Sequence, residues 1–265
     1  MVPELATLRG AIDRLDATIA NVLVKRARLA QRVALRKRLG HEPDRDVRRE
    51  LEVRDHYASR LGPIGWSEGS IDTLLGTMLH ASRDLQARLR VAIQGGPGSW
   101  SEISLQANLP RIEVLHCDTV RDVETACRSG AAVAAWLARQ NSTVGPIQET
   151  DEAASTMDAW LVAEHPIRHA LLGRKGLALA SIKVIRGHPR ALEQCRATLA
   201  RIAPQAPQEA TVDGAHSAAS ISTSDAVLGA PEIAKRHGLS ILAESVNDEP
   251  LNSTTFELLV PRDSF

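Results

Sequence analysis

The sequence predicts an all-α segment over residues 1–89 followed by an α/β segment over residues 90–265. Two observations carry that division. Up to about residue 89, apolar side chains recur at alternating steps of three and four, which sets them on single faces of helices. From Val91 the pattern changes to short apolar runs separated by helix-like stretches, the alternation of an α/β domain.

The first helix is expected from Pro3 to about Leu39, with Gly40, His41 and Pro43 ending it. Its stripe is Leu5, Leu8, Ile12, Leu15, Ile19, Val22, Leu29 and Val33, interrupted by Arg26 and continued by Arg36 and Lys37. A cation on a buried face needs an anion, and that anion can be a ligand. A helix of about 37 residues is about 55 Å long, whereas a compact 90-residue domain is only about 30 Å across. The helix must overhang its own domain, and a second copy of the chain covers the overhang most simply, as an intertwined two-fold dimer.

The second helix is expected from about Asp44 to Leu61, closed by Gly62 and Pro63. The third opens near Ser67 or Ser70, whose hydroxyls suit an N-cap, and carries Ile71, Leu75, Met78, Leu85 and Leu89 on its apolar face. In the α/β segment the expected strands are Val91–Gln94, Ile112–His116, Ala131–Leu137, Trp160–Glu164, Leu177–Ile185, Ala210–Val212, Ile241–Ala243 and Phe256–Val260. Helices are expected at Ser99–Asn108, Val120–Ser129, Pro189–Ile202 and Pro231–His237, with a Pro/Gln-rich loop at Ala203–Glu209.

Thirty-two basic and 32 acidic residues balance to zero net charge, so no global field draws the chain to nucleic acid or to a membrane surface. Arg supplies 27 of the cations and Lys five, a bias that suits forked recognition of carboxylates or phosphates. Cys117, Cys127 and Cys195 are odd in number and lack metal-ligand spacing, so neither a disulfide framework nor a metal site is expected, and a reducing cytoplasm fits them. No apolar run approaches the roughly 18 residues of a membrane span.

Polar groups interrupt apolar stripes in all three helices. Asp46, Arg49 and Glu50 stand at i, i+3 and i+4 on one face, and Ser82 lies one turn from Gln86. Taken singly, internal ion pairs such as Arg26 with Glu50 account for them. Taken together, Arg9, Arg26, Lys37, Asp46, Arg49, Glu50, Ser82 and Gln86, within LRGAIDRLD, LVKRARLAQRVALRKR, PDRDVRRE and ASRDLQ, resemble the motif of the all-helical chorismate mutases over residues 5 to about 90.

The resemblance implies rearrangement of chorismate, a dicarboxylate, to prephenate. That step is pericyclic and needs a folded conformer and donors to the ether oxygen, with no nucleophile or cofactor. It implies that Arg26 and Arg9 clamp carboxylates, that Lys37 and Gln86 donate to the ether oxygen, that Glu50 accepts from the ring hydroxyl, and that Ser82, Asp46 and Arg49 support substrate and clamps. Spacing agrees. Arg26 and Lys37, eleven residues apart, lie within about 20° on a helix, while Arg9 is about 100° and 25 Å from Arg26 and must serve the partner's pocket. A close relative of chorismate with an amine for the ring hydroxyl would still suit Glu50.

In the second segment, Arg90–Gln94, the turn Gly95-Gly96-Pro97-Gly98 and Ser99-Trp100-Ser101-Glu102 read as strand, turn and a helix opened by a Ser-x-x-Glu capping box, an anion-binding geometry. With Gly187-His188-Pro189, Gln194-Cys195, Leu228-Gly229, Gly238–Leu242 and Asn252–Phe256, it resembles the prephenate dehydratase domain over about residues 90–262. That resemblance implies two α/β lobes around a ligand cleft.

The chain departs from the family at three places. Thr254-Thr255-Phe256 replaces Thr-Arg-Phe, Ala138-Arg139-Gln140-Asn141-Ser142 replaces Pro-Ile-Glu-Asn-Ser, and Ala215-His216 replaces a Ser-Thr pair. The candidate residues are Ser99, Ser101, Arg139, Asn141, Ser142, His216, Ser217, Thr254 and Thr255, with Arg139 and His216 read either as replacement cations of a reshaped site or as solvated substitutions in a retired pocket. Dehydration of prephenate, its decarboxylation with the hydroxyl kept, and a non-catalytic metabolite-binding or scaffold role remain open for this segment. The chain runs about five residues past its last strand, so the regulatory ACT domain that often follows is not expected.

Overall fold

In the computed structural model, which describes residues 4–43, 45–212 and 214–262, the chain divides into two units, Met1–Leu89 and Arg90–Phe265. The first is all helical, with α1 at Leu5–Leu39, α2 at Val47–Leu61 and α3 at Glu68–Ala87. The starts expected at Pro3 and Asp44 lie outside the described residues. Helix α2 opens at Val47 because the Asp46 carboxylate caps it, accepting from the Arg49 amide at 3.0 Å. Ser67 caps α3, accepting from the Ser70 amide at 3.2 Å. Because α3 ends at Ala87, the fully buried Leu89 lies beyond its apolar face rather than on it.

Only a small part of α1 is covered within the chain. Ala34 and Leu35 are its buried residues, and α3, which packs against α1, buries Ile71 and Leu75. The rest of the stripe, from Leu5 through Val22 and on to Leu29 and Val33, stands exposed, Leu15 at 63%.

The second unit is a mixed α/β structure with two sheets. The first sheet is ordered β2-β1-β3-β11-β5, with β1 Arg90–Gln94, β2 Glu113–Cys117, β3 Ala134–Asn141, β5 Met157–Pro166 and β11 Ser253–Pro261; β4, Gly145–Pro146, pairs with β3. The β1–β2 and β1–β3 pairs are parallel, whereas β11 runs antiparallel to both β3 and β5. Helices α4 Trp100–Asn108, α5 Val120–Ser129 and α6 Asp151–Ser155 connect its strands. The second sheet is ordered β10-β6-β9-β7-β8, with β6 Ala170–Gly173, β7 Ile185–Gly187, β8 Gln208–Ala210, β9 Ala226–Gly229 and β10 Ser240–Ala243. Its helices are α7 Pro189–Gln194, α8 Arg196–Ile202, α9 Gly214–Ala219 and α10 Glu232–His237. The chain thus crosses between the sheets twice, at residues 167–169 and 244–252, and the crossings are tied by Ile167 N to Asn252 O and Val246 N to His169 O.

Several expected elements differ. Leu177–Ile185 is not a strand: Gly176 turns the chain at positive φ, a 3₁₀ turn spans Leu179–Ser181, and only Ile185 enters the sheet. The Pro189–Ile202 helix breaks at Cys195, which leaves helical φ/ψ, and the expected loop at Ala203–Glu209 gives its last two residues to β8. Strands β6 and β9, buried at every residue, have no alternation to betray them. Among the described residues no helix is long and apolar enough to cross a membrane.

Candidate functional site

In the first unit, α1, α2 and α3 enclose a cavity of about 330 Å³. Arg26, Lys37, Asp46, Arg49, Glu50, Ser82 and Gln86 all line it, together with Arg38, Arg45 and Arg83. One turn-spaced face of each helix supplies them, which is why residues up to 60 positions apart in sequence meet. Six cations face two carboxylates, a field suited to an anion carrying more than one charge. Arg9 is exposed and stands outside this cavity, toward the other end of α1.

The side chains hold one another. Arg26 Nη1 donates to Ser82 Oγ at 2.6 Å, and that hydroxyl donates to Met78 O at 2.8 Å. Gln86 Nε2 gives one hydrogen to Ala30 O at 3.2 Å, which leaves the second for a ligand. The Arg26–Glu50 pair expected from the sequence gives way to other partners: Glu50 meets Arg45 at 2.9 Å and Arg83 at 3.4 Å. The Arg45 hydrogen bond above all holds the Glu50 carboxyl below the usual carboxylate range.

In the second unit, a cavity of about 180 Å³ opens between the two sheets, lined by Asn141, Thr254 and Phe256 from one, by Leu228 and Gly229 from the other, and by Ala215 of α9. Four sequence candidates line it: Ser99, Ser101, Asn141 and Thr254. The others point elsewhere. Arg139 pairs with Asp151 at 3.0 Å and Glu257 at 3.3 Å, Ser142 Oγ accepts from Ser253 N at 2.9 Å, and Ser217 donates to Thr211 at 2.8 Å. His216 is exposed on α9, and Thr255 alternates with Thr254 and so faces the opposite side of β11. Neither Arg139 nor His216 therefore serves this cavity as a cation; Arg190 does, 3.5 Å from Glu149.

The expected capping box is half made. Ser99 Oγ accepts from the Glu102 amide at 3.4 Å, but the carboxylate of Glu102, a residue only 4% exposed, turns to Gly98 N and Arg236 instead. A buried carboxylate requires pairing, and Arg236 at 2.8 Å supplies it from within the protein.

A buried network missed at the sequence level backs this cavity. Trp100 Nε1, a donor only, gives its hydrogen to His169 Nδ1 at 3.3 Å, so the imidazole proton sits on Nε2 and goes to Gln194 Oε1 at 3.0 Å. Asn252 Nδ2 donates to the same Oε1 at 2.9 Å, which orients the Gln194 NH2 as the end available to a ligand. Asn141 Nδ2 then joins Asn252 Oδ1 at 2.7 Å and Thr254 Oγ1 at 2.9 Å. Burial drives His169 down to about 4, the Gln194 bond opposing and His188 adding to it, so it is neutral near pH 7. Gln194 and Asn252 lay within motif segments that the sequence had flagged, whereas a lone His169 carries no sequence signal.

A family model described as prephenate dehydratase matches residues 91–264, and one described as chorismate mutase type II matches residues 8–87. The chain is 31% identical over 177 residues to arogenate dehydratase 1 of Petunia hybrida, covering 64% of this chain and 42% of that protein. It is 26% identical over 257 residues to the bifunctional chorismate mutase/prephenate dehydratase of Neisseria gonorrhoeae, covering 94% of this chain and 70% of that one. The crystal structure of the prephenate dehydratase of Arthrobacter aurescens matches with a TM-score of 0.60 and 27% identity, over 67% of this chain and 62% of that one. The chain spans about half the length of the plant relatives it matches.

Proposed function

The chain belongs to the prephenate dehydratase family through residues 91–264 and carries a chorismate mutase domain at residues 8–87, and from that premise we propose that its first unit converts chorismate to prephenate. The observation that carries this reading is the convergence of Arg26, Lys37, Asp46, Arg49, Glu50, Ser82 and Gln86 on one cavity. Arg26, steadied by Ser82, takes one carboxylate of the substrate, and Arg49 and Asp46 line the same cavity from the start of α2. Lys37 and the second amide hydrogen of Gln86 meet the ether oxygen as its bond to carbon breaks, and Glu50 accepts from the ring hydroxyl. The step transfers no proton, so no group in the pocket must titrate for it to proceed.

The working form is a homodimer. The exposed stripe from Leu5 to Val33 supports it, since eight large apolar side chains in a row on one helix favour a covering partner. The partner subunit's Arg9 closes the pocket on the second carboxylate. The three free cysteines suit a reducing, cytoplasmic setting.

For the second unit, Thr254 supports dehydration. Its hydroxyl accepts from Asn141 and lines the cavity, where it can donate a hydrogen bond to the departing ring hydroxyl, which leaves as water with a proton drawn from solvent while carbon dioxide leaves. Arg190 is the cation that meets the substrate's carboxylate in place of the Arg missing at position 255.

Chorismate given to the purified chain, with products followed by NMR, tests both units. Prephenate followed by phenylpyruvate is expected. Prephenate alone overturns dehydration, a non-aromatic decarboxylated product replaces it with the altered chemistry, and unchanged chorismate overturns the mutase reading.

A further inference from the structure

Glu50 is the pocket's acceptor for the ring substituent, yet it does not stand as a bare carboxylate. Arg45 straddles it, with Nη2 at 2.9 Å from Oε2 and Nε at 3.3 and 3.4 Å from its two oxygens. Arg83, the residue after Ser82 on α3, brings a second guanidinium to 3.4 Å from Oε1. Both line the cavity, and neither is called for by the pericyclic step. Glu50 is the more enclosed of the three, its side chain 21% exposed against 62% for Arg45 and 49% for Arg83.

A carboxylate so flanked keeps lone pairs for a hydroxyl hydrogen, and the adjoining cations cost a neutral hydroxyl little. A ring ammonium in the same place meets a carboxylate whose charge is already offset, with two like charges a few ångströms behind it. In a partly solvated pocket each such neighbour at about 6 Å weakens the cation's binding roughly five-fold.

We propose that Arg83, together with Arg45, acts through Glu50 to select chorismate, with its neutral ring hydroxyl, over the relative that carries an ammonium at that ring position. This rests on the mutase reading above and decides between the two substrates that the sequence leaves open.

The test is kcat/KM of the full chain for chorismate and for the amino-substituted analogue, in the unaltered protein and in Arg83→Met and Arg83→Lys. The unaltered chain is expected to favour chorismate. Arg83→Met should raise the relative preference for the amine about five-fold, and Arg83→Lys, which keeps the charge, should restore the original ratio. A variant that merely loosens the fold lowers both substrates alike and leaves the ratio unmoved. An unchanged ratio in Arg83→Met, or equal use of both substrates by the unaltered chain, overturns this inference while leaving the mutase reading intact. Failure of the unaltered chain to turn over either substrate overturns that reading and this inference with it.

Discussion

Replacing Arg26 by alanine separates binding chemistry from fold more cleanly than any other change in the first unit. The side chain is half-buried at the middle of α1, and its Nη1 lies 2.6 Å from Ser82 Oγ inside the cavity. The buried residues of α1 are Ala34 and Leu35, so truncation at position 26 opens no core void and stability should stay within about 1 kcal/mol. What is lost is a guanidinium–carboxylate contact in a pocket closed on three sides, worth about 2 to 5 kcal/mol, or roughly 30- to 5,000-fold in kcat/KM. Ser82→Ala removes only the strut that aims the guanidinium and should cost about 1 to 2 kcal/mol, roughly 5- to 30-fold. Loss of the chorismate absorbance gives the rates, and sedimentation with thermal unfolding checks that the variants stay folded and associated. Arg26→Ala turning over chorismate within about three-fold of the unaltered protein would refute the assignment of the pocket. A larger loss from Ser82→Ala than from Arg26→Ala would refute the order of cause.

Ile19→Glu on the exposed stripe should weaken self-association by about 3 kcal/mol, since the change occurs twice in a two-fold contact, and so raise the dissociation constant roughly a hundred-fold by sedimentation; an unchanged constant counts against the dimer. His169, with its pKa lowered by burial to about 4 from about 6.5 in the unfolded chain, binds more protons when unfolded, so its stabilisation is complete above about pH 6.5 and is lost as pH falls toward 4. That loss is about 3 kcal/mol, and His169→Asn should flatten the fall in denaturant midpoint between pH 7 and 4.5; an unaltered slope sinks the assignment. Gly214→Ala drives a Cβ into the Leu228 carbonyl oxygen, backbone that cannot step aside, and should cost about 2 to 3 kcal/mol of stability in calorimetry. Mutase activity should vary little between pH 5 and 8, because Gln86 donates as a neutral amide; a sharp change in the chemical step across that range contradicts its role.

The helical unit was legible because its chemistry and its periodicity coincide. Arg26, Lys37, Ser82 and Gln86 break apolar stripes at helical spacing, and helical spacing is a local property that three rigid rods carry directly into a shared pocket. The second unit was less legible. Thr254 and Asn141 could be found because they lie in recognisable segments, but the sequence pointed to Arg139 and passed over Arg190, because only the packing of β3 and α7 decides that the first turns to Asp151 and Glu257 while the second lines the cavity. His169 left no trace in the sequence because its partners, Trp100 and Gln194, lie 69 and 25 residues away.

Glu50 marks the boundary between the two kinds of knowledge. The sequence by itself determined that a carboxylate would stand on the same helical face as Asp46 and Arg49, that Arg26 and Lys37 would face one way, and that the first helix would outrun its own core. Those are consequences of a 3.6-residue period and a 1.5 Å rise. Only the tertiary structure decided that Glu50 pairs with Arg45 and Arg83 rather than with Arg26, and that Gln194 has its amide fixed by a neutral, buried His169. Side-chain pairing across elements depends on where each backbone carries its Cβ to within an ångström or so, and charge selectivity depends on those pairs.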